Sequence, residues 1–169
     1  MPEILCLRLP ASTAGSYEYA ITSAILGAQV QHGYADVDQV QEMAAGRRCV
    51  AIVSGLEVLI TRVKLPTRRR SRIAQALPYA LEEQLTSDID DLHFAIRRVD
   101  GDGWVHAAVV EHSAMQRWQT QLLGLGVDVA AIVPENGLLA VNELYWQVLA
   151  DDQQVVMALG GDGLSLEPA

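Results

Sequence analysis

Five carboxylates lie between Glu82 and Asp91: Glu82, Glu83, Asp88, Asp90 and Asp91. Carboxylates so closely spaced can hold a divalent metal for phosphoryl chemistry. Catalytic metal sites gather their ligands from several elements, however, and an unbroken acidic run is ordinarily a solvated face. The four histidines, His32, His93, His106 and His112, include no i,i+4 pair. His93 and His106 are expected to face each other across a hairpin. No third ligand accompanies them, so ordinary, partly buried histidines are the better reading than a metal centre. Ser12, Ser16 and Ser54 have no base nearby in sequence, and a nucleophile needs one. A Walker loop, a G-x-G-x-x-G turn and a G-x-S-x-G elbow are all absent. Gly160-Gly161-Asp162-Gly163 could offer backbone N–H groups to an anion, although such a run more often makes a hairpin turn. Cys6 and Cys49 sit in apolar runs without C-x-x-C spacing and read as buried free thiols of a reducing compartment. No catalytic residue, metal ligand or cofactor site is assigned.

The bulk properties narrow the classes further. The 169 residues carry a formal net charge of −9 and are half apolar. That is ordinary for a globular protein and wrong for a general nucleic-acid binder, which needs a net basic face. The N-terminus, MPEILCLRLP, has no signal pattern, and no apolar run approaches the ~20 residues of a membrane helix. The chain is expected to be soluble.

The elements that must position these residues follow from pattern. Ile4–Leu9 reads as a strand stopped by Pro10. Residues 17–25 and 28–34 read as a hairpin with Gly27 near the junction. Asp36 is an N-cap for a short helix ending near Gly46. Cys49–Val53 has the continuous apolar character of a central strand, and Val58–Leu65 is another. Arg68–Leu85 is helical: Ile73, Leu77, Leu81 and Leu85 recur at i,i+4, with Pro78 expected to impose a kink or split the segment into two abutting helices. Leu92–Val99 and Trp104–Val110 form a hairpin about Asp100-Gly101-Asp102-Gly103. Ser113 is expected to cap a helix carrying Met115, Trp118, Leu122 and Leu125 on one face, ended by Gly124 and Gly126. Val127–Val133 is a strand. Asn136–Val141 reads as a short helix, 143–149 and 153–159 as a hairpin around Asp151–Asp152, and Leu164–Leu166 as the start of one more strand.

The helical segment is polarised the wrong way. Six of the chain's twelve Lys and Arg lie between Arg62 and Arg72, ahead of the five acids. A helix dipole favours acids first and bases last, each worth a few tenths of a kcal/mol. Either these charges pair elsewhere in the fold or they face a partner.

Leu77-Pro78-Tyr79, Leu81-Glu82-Glu83, Asp88 with Asp91, and His93-Phe94 together resemble the LPY-x-LE(D/E)…HF signature of the type II secretion system protein L family. The strand ending in Leu65-Pro66, then Trp118, Gly126-Val127 and Val133-Pro134-Glu135 are similar to further family features. The resemblance implies an α/β, actin-like (ribonuclease-H-like) fold related to the pilus assembly protein PilM, with a small inserted β-β-α-β domain. The expected division is 1–90 for a ribonuclease-H-like domain, 91–134 for the insert and 135–169 for the start of a second lobe. It also implies a longer protein with a transmembrane helix and a periplasmic domain, so this chain is expected to stop before the second lobe is complete. The implied role is a non-enzymatic scaffold on the cytoplasmic face of the bacterial inner membrane. It would recruit the secretion ATPase (protein E) through that protein's N-terminal domain, beside platform proteins M, F and C, with no cofactor and no nucleic acid. Glu82, Glu83, Asp88, Asp90 and Asp91 are assigned to the partner-binding face. A homodimer through the unfinished last strands and a nucleotide-binding actin-like protein stand as alternatives. The second is weakened because the first strand ends Arg8-Leu9-Pro10, with no Asp to serve magnesium and phosphate.

Overall fold

The computed structural model describes residues 3–10, 15–23, 30–139, 147–150, 155–159 and 162–166. The chain divides into two compact units, Met1–Ser54 with Gln116–Glu135, and Gly55–Met115 with Asn136–Ala169.

The first unit is built on a five-stranded sheet. Strands β1 (Glu3–Arg8), β2 (Tyr17–Ser23) and β3 (Gln31–Ala35) form an antiparallel meander. β4 (Arg48–Val53) and β8 (Val129–Pro134) extend it in parallel, in the order β3-β2-β1-β4-β8. Period-two alternation puts Leu5 and Leu7 of β1, and Cys49, Ala51 and Val53 of β4, into the core. Helix α1 (Val37–Ala44) begins on a capping box: Asp36 Oδ1 accepts from Gln39 N at 2.9 Å, and Asp36 N donates to Gln39 Oε1 at 3.0 Å. Gly46, at φ 74°, turns the chain out of that helix into β4. The C-terminal part of helix α3 (His112–Leu125) buries Trp118, Gln121, Leu122 and Leu125, and Gln41 Nε2 donates to Leu125 O at 2.9 Å. Gly126, at φ 66°, ends α3; Gly124 lies within it.

The second unit contains a three-stranded antiparallel sheet, β5 (Leu59–Lys64), β7 (Trp104–Glu111) and β6 (Leu92–Val99), in that order. Helix α2 (Arg70–Leu81) covers it. Ile73, Leu77 and Leu81 are fully buried and pack with Leu65, Leu92, Val105, Ala107 and Val109. Pro78 does not split the helix, which runs through it; the change comes at Glu82–Gln84, where the chain tightens to a 3-10 turn. The Asp100–Gly103 turn closes as expected, with Gly103 at φ 85°. Strands β9 (Gln147–Ala150), β10 (Val155–Leu159) and β11 (Asp162–Leu166) make a second antiparallel meander.

The compact units divide at bounds other than the expected 90/91. β6 and β7 pair with β5, so the chain changes unit at Ser54/Gly55 rather than at 90/91. β8 does not complete a β-β-α-β unit with β6 and β7; it returns to β4. A parallel pair needs a long crossover, and the whole Gly55–Met115 segment lies within this one. Two local expectations also change. α3 starts at His112, so Ser113 lies inside its first turn, its Oγ donating to Glu111 Oε2 at 3.1 Å. Glu135–Gly137 is a 3-10 turn in place of the start of a helix. The Gly27 junction, Asp151–Asp152 and Gly160–Gly161 lie outside the described residues.

Candidate partner-docking surface

The five assigned carboxylates sit on two consecutive 3-10 turns after α2. Glu82 and Glu83 belong to the first, closed by Leu85 N donating to Glu82 O at 3.1 Å. Asp88 caps the second, Ile89–Asp91: its Oδ1 accepts from Asp90 N at 3.0 Å, and Asp91 N donates to Asp88 O at 3.0 Å. All five side chains are exposed, and none is ion-paired among the described residues. The buried neighbours Leu81 and Leu92 anchor the segment at each end. The carboxylates are thus solvent-exposed on adjoining turns, and no group of three His, Cys, Asp or Glu among the described residues is placed to hold a metal.

The basic end of the same segment is spent differently. Arg68 Nη2 donates to Gly101 O, and Arg70 Nη2 to Ile96 O at 3.4 Å. The Arg62 guanidinium lies 5.1 Å from the Trp104 ring centroid, a cation–π distance. Half the charge puzzle is thereby resolved inside the unit: arginines at the start of α2 serve carbonyls of the β6–β7 hairpin, while the acids at its end, beyond the Asp88 cap, have no ion pair among the described residues.

A groove of about 430 Å³ adjoins the acidic run. Gln84–Ser87, the residues between Glu83 and Asp88, line one side; Gly55–Leu59, Leu92, Val109–Glu111, Asn136 and Ser165 line the rest. Asn136 is 3% exposed and its Nδ2 donates to Gly55 O at 3.2 Å and Val58 O at 3.1 Å. Nothing in the local sequence singles out Asn136, because the groove is assembled from six separated stretches.

The histidines fall elsewhere than expected. His93 pairs in register with Val110, not His106, and its ring meets His112 edge-on at 6.2 Å. The turn length fixes the hairpin register and leaves His93 and His106 several residues apart along the sheet. His106 is 3% exposed, and its Nε2–H donates to Asp100 Oδ2 at 2.9 Å; Arg98 Nε donates to Asp100 Oδ1 at 2.8 Å. His106 chiefly, with Arg98, holds the Asp100 carboxyl below the ordinary range despite a partial opposing desolvation. Sequence reading missed this cluster, although Asp100 in the turn facing a strand histidine was the available signal.

Both cysteines are free thiols. Cys49 is buried, whereas Cys6 is half-buried rather than core. Desolvation raises both above the usual thiol value, which disfavours reactive thiolates. At the end of β1, where an actin-like ATPase would present a magnesium-serving Asp, Arg8 Nε meets Glu135 Oε1 at 2.6 Å and Arg8 Nη1 meets Glu18 Oε2 at 3.1 Å.

Solved structures place this fold. The cytoplasmic domain of EpsL, an inner membrane component of the type II secretion system of Vibrio cholerae, matches with a TM-score of 0.75 at 20% identity, over 98% of this chain and 71% of that one. A chain of the PilM-PilN type IV pilus biogenesis complex matches at 0.63 and 15%, over 97% and 61%. The α/β, actin-like fold is thereby established. Among sequences, type II secretion system protein L of Pectobacterium carotovorum subsp. carotovorum is 31% identical over 88% of this chain. The Dickeya chrysanthemi protein is 33% identical over 86%. The chain spans little more than a third of these relatives, 36% and 37% of their lengths. No described helix is long and apolar enough to cross a membrane. The family model for type II secretion system protein L matches residues 5–163, and the chain belongs to that family.

Proposed function

We propose that this chain is a docking scaffold of the bacterial type II secretion machinery, and that it receives the N-terminal domain of the secretion ATPase, protein E, on the acidic run. One observation carries the reading: five exposed carboxylates on two adjoining turns have no ion-pair partner among the described residues, while arginines at the opposite end of α2 are engaged within the unit. Uncompensated charge of one sign on an ordered surface steers and orients a partner of the other sign. In the whole protein this face would stand at the cytoplasmic side of the inner membrane, alongside platform proteins M, F and C.

The test is binding of the ATPase N-terminal domain to the chain carrying Glu82→Lys, Glu83→Lys and Asp90→Lys, with Asp88→Asn to keep the 3-10 cap. Affinity should fall and its salt dependence flatten. Unchanged affinity in a folded variant rejects the acidic run as the docking face.

The actin-like fold favours a second reading, a nucleotide-binding protein. Against it, β1 ends on an arginine already bridged to Glu135 and Glu18. Micromolar binding of ATP with magnesium in calorimetry would reverse the order of the two readings.

A further inference from the structure

We infer that the groove beside the acidic run is an arginine pocket, taking one guanidinium side chain from an extended basic and aliphatic segment of the docking partner. The inference deepens the docking reading and rests on it, because groove and run share the Gln84–Ser87 loop.

Three independent features of the groove point to this occupant. Among the described residues its lining includes the carboxylate residues Glu57 and Glu111 and no Lys, Arg or His, and Glu83 and Asp88 flank it in sequence. Its walls carry aliphatic surface, with Leu56 and Leu59 each 43% exposed. An arginine stem packs on such surface while its head seeks acceptors. Finally, Asn136 Oδ1 is buried and has no hydrogen-bond partner, and the same holds for Ser165 Oγ. The orientation of the Asn136 amide is fixed by its Nδ2, which serves two carbonyls. Its oxygen is therefore an acceptor without a donor among the described residues, and a buried unmet acceptor is costly. A guanidinium supplies several N–H donors in a planar fork and suits a lining rich in carboxylate and other acceptor groups. Gly55 belongs to the same design, since a Cβ there would collide with Ser165 Oγ and crowd Asn136. The volume, about 430 Å³, lies in the range of ligand pockets and exceeds one side chain.

The probe is the capped tripeptide acetyl-Leu-Arg-Leu-amide, titrated into the isotopically labelled chain beside its citrulline counterpart, which keeps the shape and loses the charge. Amide shifts at Gly55–Leu59, Gln84–Ser87 and Asn136 with the arginine peptide are expected, with affinity at least about tenfold weaker for citrulline, as loss of a charge-assisted hydrogen bond predicts. Equal response to both peptides, or shifts confined to Glu82, Glu83 and Asp88–Asp91, overturns the pocket. A second variant, Thr86→Arg, places a cation on the exposed groove rim and should weaken binding of the ATPase domain. If the charge-reversed run weakens that binding while Thr86→Arg and the tripeptide have no effect, the pocket is wrong and the docking reading stands. If charge reversal has no effect but the groove still selects the arginine peptide, the pocket stands and the docking reading is wrong.

Discussion

Arg8 and Glu135 join strands that do not touch. Arg8 ends β1, Glu135 follows β8, and β4 lies between those strands; yet Nε and Oε1 are 2.6 Å apart. The Glu135 side chain is 9% exposed and that of Arg8 27%. Removing one member of a buried pair leaves the other charge stranded, which costs about 3–5 kcal/mol when burial is complete. Arg8 keeps some solvent and a second carboxylate, so Glu135→Gln should lose less, about 2–3 kcal/mol. Glu18→Gln, on an exposed carboxylate, should lose at most about 1 kcal/mol. Urea unfolding at neutral pH ranks the two variants, and equal losses would mean that the Glu135 pair is no more than a surface contact.

The reversed charges of α2 predict a stabilising substitution. Arg72 is exposed in the first turn. Arg72→Glu should raise stability by about 0.3–1 kcal/mol at low salt, with the gain fading as salt screens it. Arg70→Glu should gain less, since it forfeits the bond to Ile96 O. Thermal unfolding across ionic strengths checks both, and a loss at Arg72 would show that this cation is engaged.

Pro78 sits inside α2 without breaking it, so the helix bears a missing N–H donor to the carbonyl of Ala74. An interior proline is about 3 kcal/mol worse than alanine in a helix, offset by about 0.4–1 kcal/mol of unfolded-state entropy and by tertiary packing. Pro78→Ala should therefore stabilise by about 1–2 kcal/mol. Leu77→Ala next to it, at a fully buried site, should cost about 2–5 kcal/mol. Opposite signs at adjacent residues make the pair a sharp calorimetric test.

What could be read from sequence was local. The Asp36 cap, the i,i+4 stripe of Ile73, Leu77 and Leu81, and the Asp100–Gly103 turn each depend on neighbours in the chain, and each formed. The partition into units depends on which sheet β8 joins, a parallel pairing to β4 across the long insertion. Periodicity carries no information about that choice. The acidic run and its exposure were visible as a charge pattern, but its placement on two 3-10 turns was not. The groove was hidden for the same reason as β8: Gly55, Gln84, Glu111, Asn136 and Ser165 meet only after the strands have paired.

The Asp100 cluster makes a prediction with a defined sign. His106 donates to the Asp100 carboxylate and Arg98 reinforces it, so the folded carboxyl titrates below its ordinary 3.8. A depressed folded value contributes stability that is fully present above the unfolded value and is lost as pH falls through the folded one. The stability difference between the native chain and Asp100→Asn should thus be level above about pH 5 and shrink once the pH drops below 3.8. Denaturant unfolding at several acid pH values tests this. Parallel curves for the two proteins down to the acid limit would mean that the carboxyl gains nothing from His106 in the folded state. His106→Phe, which fills the buried site without a donor, should flatten the acid limb in the same way. A structural role for the ring alone would leave that limb unchanged.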